Sequence, residues 1–302
     1  MQLGHNAKGA LFMMSAMAAF AVNDAAVKAM TASLNVGQIM FVRGIFTTLL
    51  LFVVAWRLGA LRPVRAVAST ALTLRIFGEV CAAITNIYVL KHMQLANASA
   101  ILQALPLAVT LGAALFLAEP VGWRRWLAIA VGFAGVLIIA RPGPEGFTMV
   151  SLAAIATVLF AALRDLATKR VDPALPSMFV TVLTSAAITA AGGALMIPMG
   201  GWQPMHGDVI LLICISGLVV SLGYHCIIVA MRTGEISFIA PFRYTGLVWS
   251  ITLGVVFFGE VPDGYMLLGL TIVVCSGLYA FYRENKRRVD PVAQESIPQT
   301  SR

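Results

Sequence analysis

Ten apolar runs of about twenty residues each occupy most of the chain between residues 9 and 282. They fall at 9–30, 36–58, 71–92, 96–119, 122–140, 147–169, 176–198, 208–231, 234–258 and 264–282. A run of that length, coiled as a helix, matches the ~30 Å hydrocarbon core of a bilayer. None alternates strictly, as a barrel strand must. The spacing therefore predicts an all-α integral membrane protein with ten transmembrane helices. Composition agrees: 60% of residues are hydrophobic and 11% charged, against ~25% charged in a soluble domain. Most connections are short, so successive helices are antiparallel neighbours. The longest connection is 57–70.

The formal charge of +8 does not indicate nucleic acid, because the basic residues form no single stripe. They sit at the ends of the apolar runs. Lys8, Arg57, Arg62, Arg65, Arg124, Arg125, Lys169, Arg170, Arg232 and the cluster at 283–288 fall on one side; Lys91 and Arg141 fall on the other, with Lys28 near it. Basic loops stay in the cytoplasm. Both termini are predicted there, with 1–8 as a short N-terminus and 284–302 as an irregular polar tail. The first run exceeds the 7–15 residues of a signal core, so it is read as a retained helix. Cys81, Cys214, Cys226 and Cys275 show no C-x-x-C spacing and are read as core residues. No metal, cofactor or covalent chemistry is expected.

Charges inside the runs are few, and they repeat. Asp24 and Lys28 in "DAAVK" return as Asp165 and Lys169 in "DLATK". Glu119 returns as Glu260, and Lys91 as Arg232. All four pairs share one offset of 141 residues, which points to a duplication. The copies are 9–140 and 147–282, five spans each. An odd number of crossings starts the second copy from the opposite face. The halves are thus expected to be inverted repeats, an architecture of secondary carriers whose substrate sites lie near the midplane.

An ionisable group in hydrocarbon must pair or face water. Seven such groups lie within the runs: Asp24, Arg43, Arg75, Glu79, Arg164, Asp165 and Arg243. Spacing at (i, i+4) allows Asp24 to pair with Lys28, Arg75 with Glu79, and Asp165 with Lys169. Arg43, Arg164 and Arg243 either line a cavity and hold substrate through their guanidinium forks, or only pair with the acids. Arg164 has Asn23 as its counterpart in the first copy, and this asymmetry favours substrate chemistry there. Asp24, Glu79 and Asp165 either couple protons or form static ion pairs. Asn86, Tyr244 and Trp249 join the arginines as substrate-binding candidates, the two aromatics by stacking on a flat ring. Asn23, Gln103, Tyr224 and His225 are further polar candidates for a cavity. Glu119 and Glu260 end their helices before a short turn and are assigned a structural role.

Two inverted sets of five helices, "FAVNDAAVK" in the first, "FVRG" opening the second, and an "AE" or "GE" turn closing the fourth span of each set resemble the drug/metabolite transporter superfamily, in its EamA-type ten-helix branch. The resemblance spans about residues 9–283. It implies carriage of a small metabolite through a cavity between the halves. Members include exporters of amino acids and drugs and importers of riboflavin or S-adenosylmethionine. The match carries a functional role to Asp24 and Arg43, and a turn-forming role to Glu119 and Glu260. The expected activity is secondary active transport by alternating access in a bacterial inner membrane. The substrate is one of an organic anion, an amino acid or riboflavin, and the candidate assembly is a homodimer. A non-transporting scaffold and an integral membrane enzyme are the rival classes. The second lacks any H-E-x-x-H or nucleophile motif.

Overall fold

The structure, a computed structural model, describes residues 4–62, 69–117, 122–141, 148–172, 174–233 and 236–294. Arg65 and Glu119 lie outside the described residues. Among those described there is no strand, and ten helical stretches are long and apolar enough to cross a membrane. The chain is a multi-pass membrane protein. Its helices are α1 (His5–Met30), α2 (Val36–Arg57), α3 (Thr70–His92), α4 (Leu95–Leu102), α5 (Leu105–Phe116), α6 (Trp123–Ala140), α7 (Met149–Thr168), α8 (Ser177–Met196), α9 (Gly207–Thr233), α10 (Ile236–Ile239), α11 (Thr245–Phe258) and α12 (Gly264–Gln294).

Several boundaries have local causes. The Asn35, Ser69 and Thr148 side chains accept the Gln38, Leu72 and Ser151 amides and cap α2, α3 and α7. Two spans read as single helices are broken. The fourth is α4 plus α5, parted at Gln103–Ala104. Pro106 has no N–H to give, and its ring excludes the carbonyl of Leu102 four residues back, where α4 ends. The ninth begins as α10, passes through a 3-10 turn at Ala240–Tyr244 that contains Pro241, and continues as α11. The repeat offset carries Gln103 onto Tyr244, so both copies break at the same place. At the C-terminus α12 continues to Gln294, past the point where an irregular tail was predicted. Glu284, Lys286, Arg287 and Arg288, at the start of that extension, are strong helix formers.

The helices pack in a pattern with internal symmetry. α1 lies along α9 and α3 along α7; α2 pairs with α8, and α6 with α12. α4 crosses α11, while α1 touches α11 as α5 touches α7. Exchanging the first five spans for the last five maps this set onto itself. Small residues allow the close crossings. At α6–α12, a Cβ on Gly135 would lie 2.8 Å from the Gly269 carbonyl, and one on Gly269 would lie 2.7 Å from the Gly135 carbonyl. α1, rich in alanine, is the most enclosed span. The outer surface is apolar, with Leu49, Phe52, Trp56, Leu218, Val256 and Phe257 exposed, as lipid contact requires. Cys214 and Cys275 are also exposed, contrary to their reading as core; Cys226 alone is fully buried.

Candidate functional site

Two polar clusters lie inside the helix bundle. The first joins α1, α2 and α9. Arg43 Nη1 donates to Asn23 Oδ1 at 3.2 Å and lies 3.5 Å from Ser216 Oγ. Ser216 Oγ donates to the same Asn23 oxygen at 2.7 Å, and Asn23 Nδ2 donates to Asp24 Oδ1 at 3.0 Å. Asp24 is the acid whose field reaches Arg43. Neutral oxygens therefore hold this guanidinium, with its counter-charge one residue further out. Ser216 and Asn23 are both buried.

The second cluster joins α3, α7 and α8. Arg164 Nη1 meets Glu79 Oε2 at 3.2 Å, and its Nε donates to Asp165 Oδ1 at 2.7 Å. Gly78 makes the pairing possible. A Cβ there would stand 2.9 Å from both Arg164 N and Phe160 O, so α3 and α7 are in backbone contact beside Glu79. Thr157 Oγ1 donates to Thr85 Oγ1 at 2.8 Å further along the same seam. Arg75 turns instead to α8, where Nη1 donates to Thr184 Oγ1 at 2.6 Å, and its buried Nε has no hydrogen-bond partner.

Tyr224 stands between the clusters. Its side of α9 faces Phe20 of α1, edge to face with ring centroids 5.3 Å apart. The phenol lies within the electrostatic reach of Glu79, Arg164, Arg43 and Arg75. It is nevertheless 56% exposed.

The expected (i, i+4) pairs give way to longer-range ones. Glu79 takes Arg164 in place of Arg75, because the glycine contact brings α7 closer than one helical turn can bring Arg75. Lys28 does not pair with Asp24. Its Nζ meets Glu260 Oε1 at 2.8 Å and donates to the Leu90 and Met93 carbonyls at the C-terminal end of α3. Asp165 is occupied by Arg164 rather than Lys169. Arg243 is exposed on the 3-10 turn. Tyr244 packs against α12, its hydroxyl filling the space left by Gly277. Trp249 is exposed on α11, and Asn86 is half-buried on α3. Among the described residues none of these four hydrogen-bonds into either cluster. Ser216, Thr184 and Arg75 are the cluster members that sequence reasoning did not select as site residues. Pro106 and Pro241 were the available signals for where the fourth and ninth spans break.

Comparison with known proteins agrees with this arrangement. Residues 7–141 match the EamA-like transporter family. A riboflavin transporter of Vibrio cholerae is 28% identical over 289 residues, 94% of this chain and 96% of its own. A riboflavin transporter of Rhizobium johnstonii is 29% identical over 65% of this chain, a match that spans 64% of its own length. An S-adenosylmethionine uptake transporter of Rickettsia conorii is 25% identical over 91% of this chain and 92% of its own. A solved structure at 17% identity shares the fold, with a TM-score of 0.61 over 93% of this chain and 98% of that one. With ten spans and a polar interior, residues 7–141 are similar to the EamA-like transporter family, and the chain as a whole is similar to named small-molecule transporters.

Proposed function

We propose that the chain is a secondary carrier that moves a small ring-bearing metabolite by alternating access between two inverted halves, 9–140 and 147–282. The exchange symmetry of the helix pairings supports the inversion, as do the matching breaks in the fourth and ninth spans. Broken helices at corresponding places in the two halves mark the substrate site in carriers of this architecture. The basic ends of the spans face the cytoplasm, in a bacterial inner membrane, with both termini inside.

The observation that carries the reading is Tyr224, an exposed phenol within α9 that meets Phe20 of α1 edge to face and lies within the electrostatic reach of charges on α2, α3 and α7. It offers a ring to stack on and a hydroxyl to direct. Three acids, Asp24, Glu79 and Asp165, balance three guanidinia, Arg43, Arg75 and Arg164. Such a lining suits a flat metabolite without net charge. Riboflavin is the first candidate, in keeping with the names of the relatives. A second reading, an organic anion, is favoured by Arg75, which has no carboxylate within ion-pair distance among the described residues. The rival scaffold and enzyme readings have no comparable feature.

Uptake and efflux of a labelled panel into proteoliposomes, with and without a pH gradient, tests this. The panel holds riboflavin, S-adenosylmethionine, amino acids and dicarboxylates. Movement of one class, reduced about tenfold in Tyr224→Ala, is expected if stacking contributes ~1.4 kcal/mol. Transport of dicarboxylates alone, abolished in Arg75→Gln, selects the anion reading. A folded protein that moves nothing removes the carrier reading.

A further inference from the structure

Lys28 and Glu260 come from different halves of the chain and meet at the end of the bundle opposite the basic loops. Lys28 lies in the last turn of α1; Glu260 follows the left-handed Gly259 that ends α11. The Glu260 amide donates back to the Gly254 carbonyl at 3.0 Å, which fixes where its side chain starts. Gly254 leaves a notch for that side chain, since a Cβ there would lie 3.3 Å from Glu260 Oε2. From the notch the carboxylate reaches two ways. Oε1 meets Lys28 Nζ at 2.8 Å, and Oε2 accepts the Leu95 amide at 2.7 Å. Lys28 also donates to the Leu90 and Met93 carbonyls and lies 5.4 Å from the Phe258 ring centroid. The two side chains are only 12% and 14% exposed.

We propose that this pair is a latch that closes the cavity on the far face and breaks each time the carrier opens there. The proposal rests on the carrier reading above. Every backbone group the pair engages belongs to a helix end. Leu90 and Met93 lie at the end of α3, where carbonyls have no helical partner, and Leu95 is the first residue of α4. Releasing them unwinds nothing, and water on the open side can take their place. The pair holds the first turn of α4, an eight-residue helix already detached from α5 at Gln103–Ala104. That short helix can swing once its N-terminus is released. Deeper in, Ser216 is fully buried beneath this face.

The test uses the full chain with Cys81, Cys214, Cys226 and Cys275 replaced, and a reporter cysteine at Ser216. A membrane-impermeant maleimide added from the far side of oriented proteoliposomes reads opening without needing a substrate. Lys28→Met and Glu260→Gln are expected to label threefold or more faster than the parent, and the swap K28E/E260K to return towards the parental rate. Separately, in the same cysteine-free background without the reporter, Lys28→Cys/Glu260→Cys joined by a short bifunctional methanethiosulfonate should stop transport, with recovery after reductant. Unchanged labelling in both single variants, with the proteins folded, overturns the latch. So does undiminished transport by the cross-linked form. A parent that moves no compound overturns the carrier reading instead, while the labelling rates still decide whether the pair opens.

Discussion

A single oxygen, Asn23 Oδ1, receives hydrogen bonds from both the Arg43 guanidinium, at 3.2 Å, and the Ser216 hydroxyl, at 2.7 Å. One amide thus ties α1 to α2 and to α9. Removing it strands two donors in a buried setting. Asn23→Ala is expected to lower stability by about 1–3 kcal/mol, the cost of buried groups left unsatisfied. Asn23→Asp keeps the acceptor for Arg43 and Ser216 but loses the Nδ2 donor to Asp24, so it should retain more stability than the alanine variant only at a pH where one of the two neighbouring carboxyls is protonated. Thermal midpoints in detergent compare the two; equal losses at such a pH would mean that the oxygen is not what holds the three helices.

Arg164 serves two carboxylates. Arg164→Ala leaves Glu79 and Asp165 without their cation and is expected to cost about 1–3 kcal/mol, less than removal of a partner from a fully buried pair, because the three side chains are half-buried. Replacing Arg164 and Glu79 together by Met should recover part of that loss, because fewer buried charges are then uncompensated. A double-mutant cycle on thermal or denaturant unfolding measures the recovery. A double variant as unstable as the sum of the singles contradicts a coupled pair.

Gly78 sets the distance between α3 and α7. Gly78→Ala places a methyl 2.9 Å from two backbone atoms of α7, and such overpacking costs typically 1–3 kcal/mol. The helices must separate, which lengthens the Arg164–Glu79 contact. Transport should fall in parallel with stability. Full transport in a variant of normal stability would show that the seam tolerates the extra carbon.

Asp263, in the turn before α12 and outside the membrane-spanning segments, accepts the Met266 amide at 2.9 Å and pairs with Arg141. The Met266 bond first, and the Arg141 bond next, hold its carboxyl below the ordinary 3.8. A group whose value is depressed on folding adds stability above its unfolded value and loses it as pH falls through the folded one. The contribution is therefore intact at neutral pH and fades only below about pH 4. Melting curves of the parent and Asp263→Asn should converge there and separate above it. Parallel curves across the whole range would remove this role.

The ten spans were legible because a bilayer forces length and hydrophobicity together, leaving little freedom to hide a crossing. Pro241 announced the break in the ninth span, and Pro106 carried the same message for the fourth. The charge pairs were not legible. Spacing brings Arg75 within a turn of Glu79, but no pattern in the chain says that Gly78 will press α3 onto α7 and give Glu79 to Arg164. Arg43 and Asp24 could be selected as rare charges; Ser216, one serine among many apolar neighbours, could not. Lys28 illustrates the limit most clearly, since its partner comes from the other half and its two carbonyls from a helix end that only the folded chain brings near.

The lengthwise pairing of α1 with α9 has a consequence for how the protein is made. The first span leaves the ribosome roughly 180 residues before the partner along which it lies, a wait of some ten to forty seconds at ~5–20 residues per second. During that interval Asn23 and Asp24 sit in a helix whose long seam is empty. Arg43 arrives early, on the very next span, and its bond to Asn23 can form within the first hairpin. The nascent chain therefore carries its own provisional shelter for a polar patch, and Ser216 completes it when the eighth crossing is inserted.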